Sequence, residues 1–264
     1  MPVSLLPPRF VKKVWGATHL GPWYPDSDGR IGEVWFPLDA LLIKFLFTTE
    51  NLSLQVHPGD EYAASHHASR GKTEMWHILR AEPGAAVAMG FREPLNGPDA
   101  LRRAAESGEI MDLMEWFEAR PGDTFFIPAG TVHAIGAGLA LCEIQQNSDV
   151  TYRLYDYGRD RELHLSDSLA VAQTGRHPGA APARAVGDGR MRLVECQYFQ
   201  TDSLELRGQT SIGDRVDAVV VLEGQLSVAG VGAQAGNVLQ VSGEWELLLE
   251  SEAGCRLLLV TAAQ

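Results

Sequence analysis

The stretch Gly122–Gly138, "GDTFFIPAGTVHAIGAG", decides how this chain folds. Its glycine, proline, glycine and histidine fall at Gly122, Pro128, Gly130 and His133, a G-x5-P-x-G-x2-H spacing. A β-rich run, "TFFIP" (124–128), meets a Pro/Gly turn, and a histidine follows at the start of the next apolar run. That pattern predicts a tight turn between two strands that presents His133 into a barrel. A second stretch, "NLSLQVHPGDEYAASHHASRGKTEMWHIL" (51–79), carries four histidines, a Gln-x-His step and an isolated Lys-x-Glu. As a strand, "LSLQVH" (52–57) sends Leu52, Leu54 and Val56 one way and Ser53, Gln55 and His57 the other. Gln55 and His57 then lie about 7 Å apart on one face, close enough for their side chains to converge. In "TEMWHIL" (73–79), Glu74 shares its face with Trp76 and Ile78, and His77 points away.

Strand signals dominate the rest of the first half: "LLIKFLF" (41–47), "AAVAMGF" (85–91) and "ALCEIQQ" (140–146) are short β-rich runs punctuated by Gly, Pro and Asp. The segment 97–119 differs, since Leu101, Ala104 and Ala105 share a helical face and a second short turn is expected around Ile110–Trp116. A further helix is expected at "LSDSLAVAQ" (165–173) with Ser166 as its cap. The Gly-, Pro- and Ala-rich segment 175–190 reads as a linker, and consecutive strands resume after it. The expected organisation is an N-terminal barrel over 1–174 with a short helical insert at 97–119, the linker, and a C-terminal barrel over 191–264. The halves align, Gly122 against Gly236. Where the first has Pro128, Gly130 and His133, the second has Ser242, Glu244 and Leu247. The second copy keeps strands and loses the polar constellation, which places any chemistry in the first.

Composition narrows the function. The chain has 264 residues, 45% of them hydrophobic, enough for a large core. A formal net charge of −12 argues against non-specific nucleic-acid binding, which needs a basic face. The N-terminal "MPVSLLPPRFVKKVWG" has no apolar core of signal-peptide length, and no run is long enough to cross a bilayer. The expectation is a cytoplasmic protein with no membrane or nucleic-acid partner, a monomer or homodimer. Cys142, Cys196 and Cys255 are widely spaced within apolar runs and read as buried free thiols.

The ensemble Q-x-H…E…G-x5-P-x-G-x2-H resembles the cupin superfamily, in which such motifs converge on a divalent metal inside a small β-barrel. "QVHPGDEYA", "GKTEMW", "IPAGTVHAIGAG" and "EIQQNSDVTYRLYDYGR", with "IGEVW" (31–35) and "RELHL" (161–165), resemble more narrowly the class I mannose-6-phosphate isomerases. The likeness is to the short bacterial form, and it covers roughly residues 9–172. It implies a mainly β fold of two cupin-like barrels (jelly rolls) with a few short helices. It implies one zinc ion per chain on Gln55, His57, Glu74 and His133. Lys72 matches the family lysine two residues before the glutamate ligand, Glu143 falls close to its acidic residue, and Arg153 matches its active-site arginine. Trp15 and Glu33 are expected at the mouth of the site as substrate contacts, beside Lys72 and Arg153.

The residue types suit that chemistry. Two imidazoles, a carboxylate and an amide carbonyl form a shell of borderline hardness that suits zinc. Aldose–ketose isomerisation of a sugar phosphate needs a polarised carbonyl, a stabilised enediolate and a proton shuttle. Glu143 ranks first as base and Lys72 second. Rival readings are an isomerase of a related sugar and a zinc-containing, sugar-binding or regulatory cupin without turnover. His66 and His67 read as a solvated polar loop, and His19, His164 and His177 have no ligand partner at useful spacing.

Overall fold

A computed structural model describes residues 3–243 and 246–263. Along the first half run β1 (Val3–Leu5), β2 (Arg9–Ala17), β3 (Ile31–Pro37), β4 (Leu41–Phe47), β5 (Leu54–Val56), helix α1 (Asp60–His67), β6 (Glu74–Ala81) and β7 (Ala86–Phe91). Helices α2 (Pro98–Ser107) and α3 (Ile110–Leu113) precede β8 (Met114–Glu118), β9 (Thr124–Ile127), β10 (His133–Ile135), β11 (Leu139–Gln146), β12 (Tyr152–Tyr155) and α4 (Leu165–Val171). The second half adds β13 (Arg184–Gly187), β14 (Arg190–Glu195), β15 (Phe199–Ile212), β16 (Ala218–Val228), β17 (Val231–Gln234), β18 (Val238–Val241) and β19 (Leu247–Ala262). The chain is mainly β with a few short helices, as expected.

Three antiparallel sheets carry the architecture. A six-stranded sheet has the order β2-β3-β4-β11-β6-β9, and a five-stranded sheet the order β12-β5-β10-β7-β8. Trp76, Ile78 and Leu141 of the first pack against Val87, Met89 and Ile135 of the second. The other face of the six-stranded sheet carries Ile43, Phe45, Phe47, Met75 and Cys142, which pack against Val220, Leu222 and Leu258 of the second half. Strands β4 and β11 are therefore covered on both faces. That explains why they read as unbroken apolar runs rather than alternating ones. The helices and Leu101, Ala104 and Ala105 cover the outside of the five-stranded sheet. The third, eight-stranded sheet contains β13–β19, with β1 paired to β18 from Val3↔Val241 to Leu5↔Leu239.

Several elements differ from their expected form. Residues between His57 and Glu74 are not a loop throughout, because α1 occupies Asp60–His67. Acidic Asp60 and Glu61 sit in its first turn and His66 and His67 in its last, which suits the helix dipole. The turn expected over Ile110–Trp116 is helical only to Leu113. From Met114 the chain is extended because it closes the edge of β7, Ala88 opposite Trp116. In α4 the cap position falls on His164 rather than Ser166, with no side-chain capping bond. The segment 175–190 runs against the first half, with Gly90 bridged to Arg176 and Phe125 to Ala180, before β13 pairs β14. The three cysteines are free; Cys142 and Cys255 are buried, and Cys196 is half-buried outside a strand. No helix among the described residues is long and apolar enough to cross a membrane.

Candidate metal centre and sugar site

Strand register builds the floor of the site. Lys44 on β4 lies opposite Trp35 on β3 and Glu143 on β11, and Glu143 lies opposite Trp76 on β6. One row of side chains thus runs Trp35–Lys44–Glu143–Trp76 across four strands. Two residues along, Gln145 on β11 lies opposite Glu74 on β6, on the same face. Facing this floor, β10 aligns His133 with Gln55 on β5. His57 follows β5 directly. The turn between β9 and β10 grips both histidines: Gly130 N–H donates to the His57 carbonyl at 2.8 Å, and its positive φ of 87° is one that glycine adopts without strain.

His57, Glu74 and His133 come together, with candidate ligand atoms within 4.8 Å of one another and all three residues buried. Each imidazole uses its outer nitrogen on a backbone carbonyl, His57 Nδ1 on Val150 O at 2.9 Å and His133 Nδ1 on Thr131 O at 2.8 Å. A carbonyl only accepts, so both rings carry their proton on Nδ1 and turn the lone pair of Nε2 inward. Burial, reinforced by the Lys72 ammonium, holds His57 well below the usual imidazole range and His133 down to about 3. Both rings are neutral, the form that binds metals. The Gln55 amide nitrogen lies 3.3 Å from His133 Nε2, and turning the amide over brings its carbonyl oxygen to that place. Among the described residues Glu74 Oε1 is buried without a hydrogen-bond partner, 3.5 Å from His133 Nε2. Two inward lone pairs, an orphaned carboxylate oxygen and an amide fit a divalent cation of zinc type.

Lys72 Nζ lies 2.7 Å from His57 Nε2 and contacts Glu74 Oε2. Lys44 Nζ donates to Glu143 Oε1 at 2.9 Å and Gln145 Oε1 at 2.5 Å, and Trp76 Nε1 donates to Glu143 Oε2 at 3.0 Å. Burial tends to raise the Glu143 carboxyl, but Lys44 and Lys72 outweigh it and hold it low. Burial works against the Lys44 charge, yet Glu143 and Glu33 overcome it and raise the ammonium above its ordinary range. Glu74 is pushed up, by burial first and then by Glu143.

Lys44, Lys72 and Glu143 open onto a cavity of about 270 Å³. Trp15, Glu33, Gln55, Lys72, Glu143 and Arg153 all line it, so every residue expected at the mouth reaches one space. Glu33 is fixed by Trp35 Nε1 at 2.7 Å and Lys13 Nζ at 3.2 Å. Lys44 also lines the cavity and lies 5.0 Å over the Trp35 ring. Sequence reasoning passed over Lys44, although a lone lysine inside "LLIKFLF" is itself a signal: a charge in a doubly covered strand needs a carboxylate partner. Trp35 and Gln145 were missed as well, since only register brings them in. His77 is on the opposite face, with Nδ1 2.9 Å from Thr124 Oγ1. His66 and His67 are both exposed, and His67 Nε2 lies 2.6 Å from the Tyr152 hydroxyl. In the second half, buried Leu247 opens β19 much as His133 opens β10, and Glu244 lies outside the described residues.

No protein-family model matches the chain. Among curated proteins, it is 32% identical over 271 residues to mannose-6-phosphate isomerase ManA of Bacillus subtilis, covering 83% of this chain and 84% of that protein. It is 39% identical over 195 residues to the mannose-6-phosphate isomerase of Streptococcus mutans, covering 70% of this chain and 61% of that protein. Among solved structures, the mannose 6-phosphate isomerase of Bacillus subtilis superposes with a TM-score of 0.86 at 24% identity, over 99% of this chain and 100% of that one. A zinc-bound mannose 6-phosphate isomerase superposes with a TM-score of 0.79 at 14% identity, over 100% of both chains. The first of these relatives aligns over both halves at an identity that shared fold alone does not give, and on that ground the chain belongs to the mannose-6-phosphate isomerase family.

Proposed function

We propose that the chain interconverts mannose 6-phosphate and fructose 6-phosphate through an enediolate, with one zinc ion held by Gln55, His57, Glu74 and His133. The observation that carries this reading is the cluster of His57, Glu74 and His133, with Gln55 beside His133 and Lys72 against His57 and Glu74, where Gln55 and Lys72 also line a cavity that presents Lys44 and Arg153. When bound, the metal supplies Lewis-acid stabilisation of the negative charge that develops on the sugar oxygens. Lys44, kept charged by Glu143 and fixed by Gln145, donates to that same developing charge. Arg153 at the rim engages the anionic substrate, as a guanidinium suits paired oxygens.

The reaction moves one proton between C2 and C1 while the carbonyl changes places with the hydroxyl. Glu143 is badly placed to take that proton, because both its oxygens accept hydrogen bonds and its carboxyl is held low. Its part is to fix Lys44. Lys72 Nζ reaches the histidine–glutamate cluster and lines the cavity, and it is the group assigned to the shuttle: as the free amine it takes the proton from C2, and as the ammonium so formed it returns that proton to C1. This reverses the order in which the sequence ranks the two residues. Trp15 and Glu33 complete the wall that orients the sugar.

A coupled assay on mannose 6-phosphate, run with chelator and then with added zinc, tests the proposal. Turnover that chelation abolishes and zinc restores is the expected result. Turnover that persists without metal, or that occurs only on another sugar, sinks it.

A further inference from the structure

Arg153 sits on β12, the last strand of the five-stranded sheet. Its pairing to β5 slips between Arg153 and Tyr155, so the ladder alone does not fix how the arginine leaves the strand. The outer edge of such a strand carries backbone groups with no neighbouring strand to bond. At Arg153 a single residue takes both of them. The backbone N–H of His164 donates to the Arg153 carbonyl at 2.8 Å, and the His164 ring Nδ1 accepts the Arg153 N–H at 3.1 Å. Two residues earlier, the Glu162 carbonyl accepts from Arg153 Nη1 at 2.6 Å. The segment 162–164 therefore grips the arginine at its backbone and at its guanidinium.

His164 is itself held. Its carbonyl accepts from the Ser168 N–H at 2.9 Å in the first turn of α4. Its ring lies 6.3 Å from that of Tyr152. An Nδ1 that accepts carries no proton, so the ring is in the Nε2–H tautomer. We infer that His164 is a positioning residue for Arg153, its side chain completing the open edge of β12 so that the guanidinium keeps a fixed direction at the sugar site. This rests on the reading of Arg153 as a substrate contact.

His164→Asn and His164→Leu test it, being close to each other in shape while only asparagine keeps an acceptor near the Nδ1 position. In the leucine variant kcat on mannose 6-phosphate is expected to fall by about ten- to a hundredfold, since a misplacement of about 1 Å can cost about a hundredfold. Zinc content should stay at the wild-type level, and the asparagine variant should recover most of the rate. Amide hydrogen exchange at Arg153 supplies a readout without substrate: protection should be lost with leucine and kept with asparagine. A leucine variant with wild-type kcat, or with Arg153 still protected, overturns the inference. So does an asparagine variant as slow as the leucine one at full zinc content. If leucine prevents folding, His164→Ala takes its place in both measurements. A wild-type protein that does not turn over mannose 6-phosphate sinks the functional reading instead, and the exchange experiment still decides whether His164 holds Arg153.

Discussion

Lys44 and Glu143 share a place where neither is stable alone. Both are buried, and among the described residues each has the other as its only oppositely charged hydrogen-bond partner, at 2.9 Å. Removing one member of such a pair strands the other charge, which costs about 3–5 kcal/mol. Lys44→Met should therefore lower stability by that order in urea titrations, and adding Glu143→Gln should recover most of the loss. Activity should stay low in the double variant, because Lys44, the donor proposed for the sugar oxygens, is still missing. Wild-type stability of the single Lys44→Met variant would contradict the pairing. A second residue-scale expectation concerns His77, which burial, aided by Arg256, holds down at about 4. Its folded value lies below the ordinary value of about 6.5, so the unfolded chain takes up the proton first as pH falls. The neutral ring thus contributes fully above about pH 6.5, and its share is lost progressively down to about pH 4, some 3 kcal/mol in order of magnitude. In His77→Gln the difference in urea midpoint between pH 7 and pH 4.5 should shrink by that share. An unchanged difference would show that another group carries the acid sensitivity.

Among the elements, the β9–β10 turn does the most for the site in the fewest residues. Gly130 bonds the His57 carbonyl through its N–H and the Gln173 N–H through its carbonyl, at 2.8 Å and 2.7 Å. A Cβ on Gly130 would stand 3.0 Å from the Val171 carbonyl oxygen, in a backbone conformation that side chains rarely adopt. Gly130→Ala should cost about 1–2 kcal/mol in local strain and move His133 off its register with Gln55. Reduced zinc content by elemental analysis, with far-UV circular dichroism unchanged, is the expected outcome; full zinc loading would show that the turn tolerates the methyl. This turn was legible because its spacing is local, and so was the alternation that puts Gln55 with His57 and Glu74 with Trp76. Lys44 was not, since its meaning depends on a partner 99 positions away that only strand register supplies. Helix α1 escaped for a different reason. "DEYAASHH" buries only Ala63, so it carries no apolar stripe for periodicity to reveal. Strand β8 was hidden because "IMDLMEWFEA" supports a helical spacing as well as an extended one, and the open edge of β7 decided between them.

At the scale of the molecule, each half has an interior of its own, and a further core runs between them. One continuous core joins Phe45, Phe47 and Cys142 of the first to Val220, Leu222 and Leu258 of the second. Side chains of the N-terminal region extend it: Trp23 Nε1 donates to the Leu222 carbonyl at 2.8 Å, and the Tyr24 hydroxyl to the Gly236 carbonyl at 2.7 Å. β1 adds a strand to the eight-stranded sheet from the far end of the sequence. Inter-domain contacts within a chain are ordinarily more polar than this apolar cluster, and domains joined by such contacts can unfold separately. Here, breaking the halves apart would expose the outer face of the six-stranded sheet, so the two halves are expected to unfold together. Calorimetry should accordingly show a single transition whose van't Hoff and calorimetric enthalpies agree. Tyr24→Phe, which leaves the Gly236 carbonyl without its donor, should move that transition down by about 1–3 kcal/mol without splitting it. Two resolved transitions in the wild type would mean that the shared core contributes less than its continuity implies, and that the second half folds as a unit of its own.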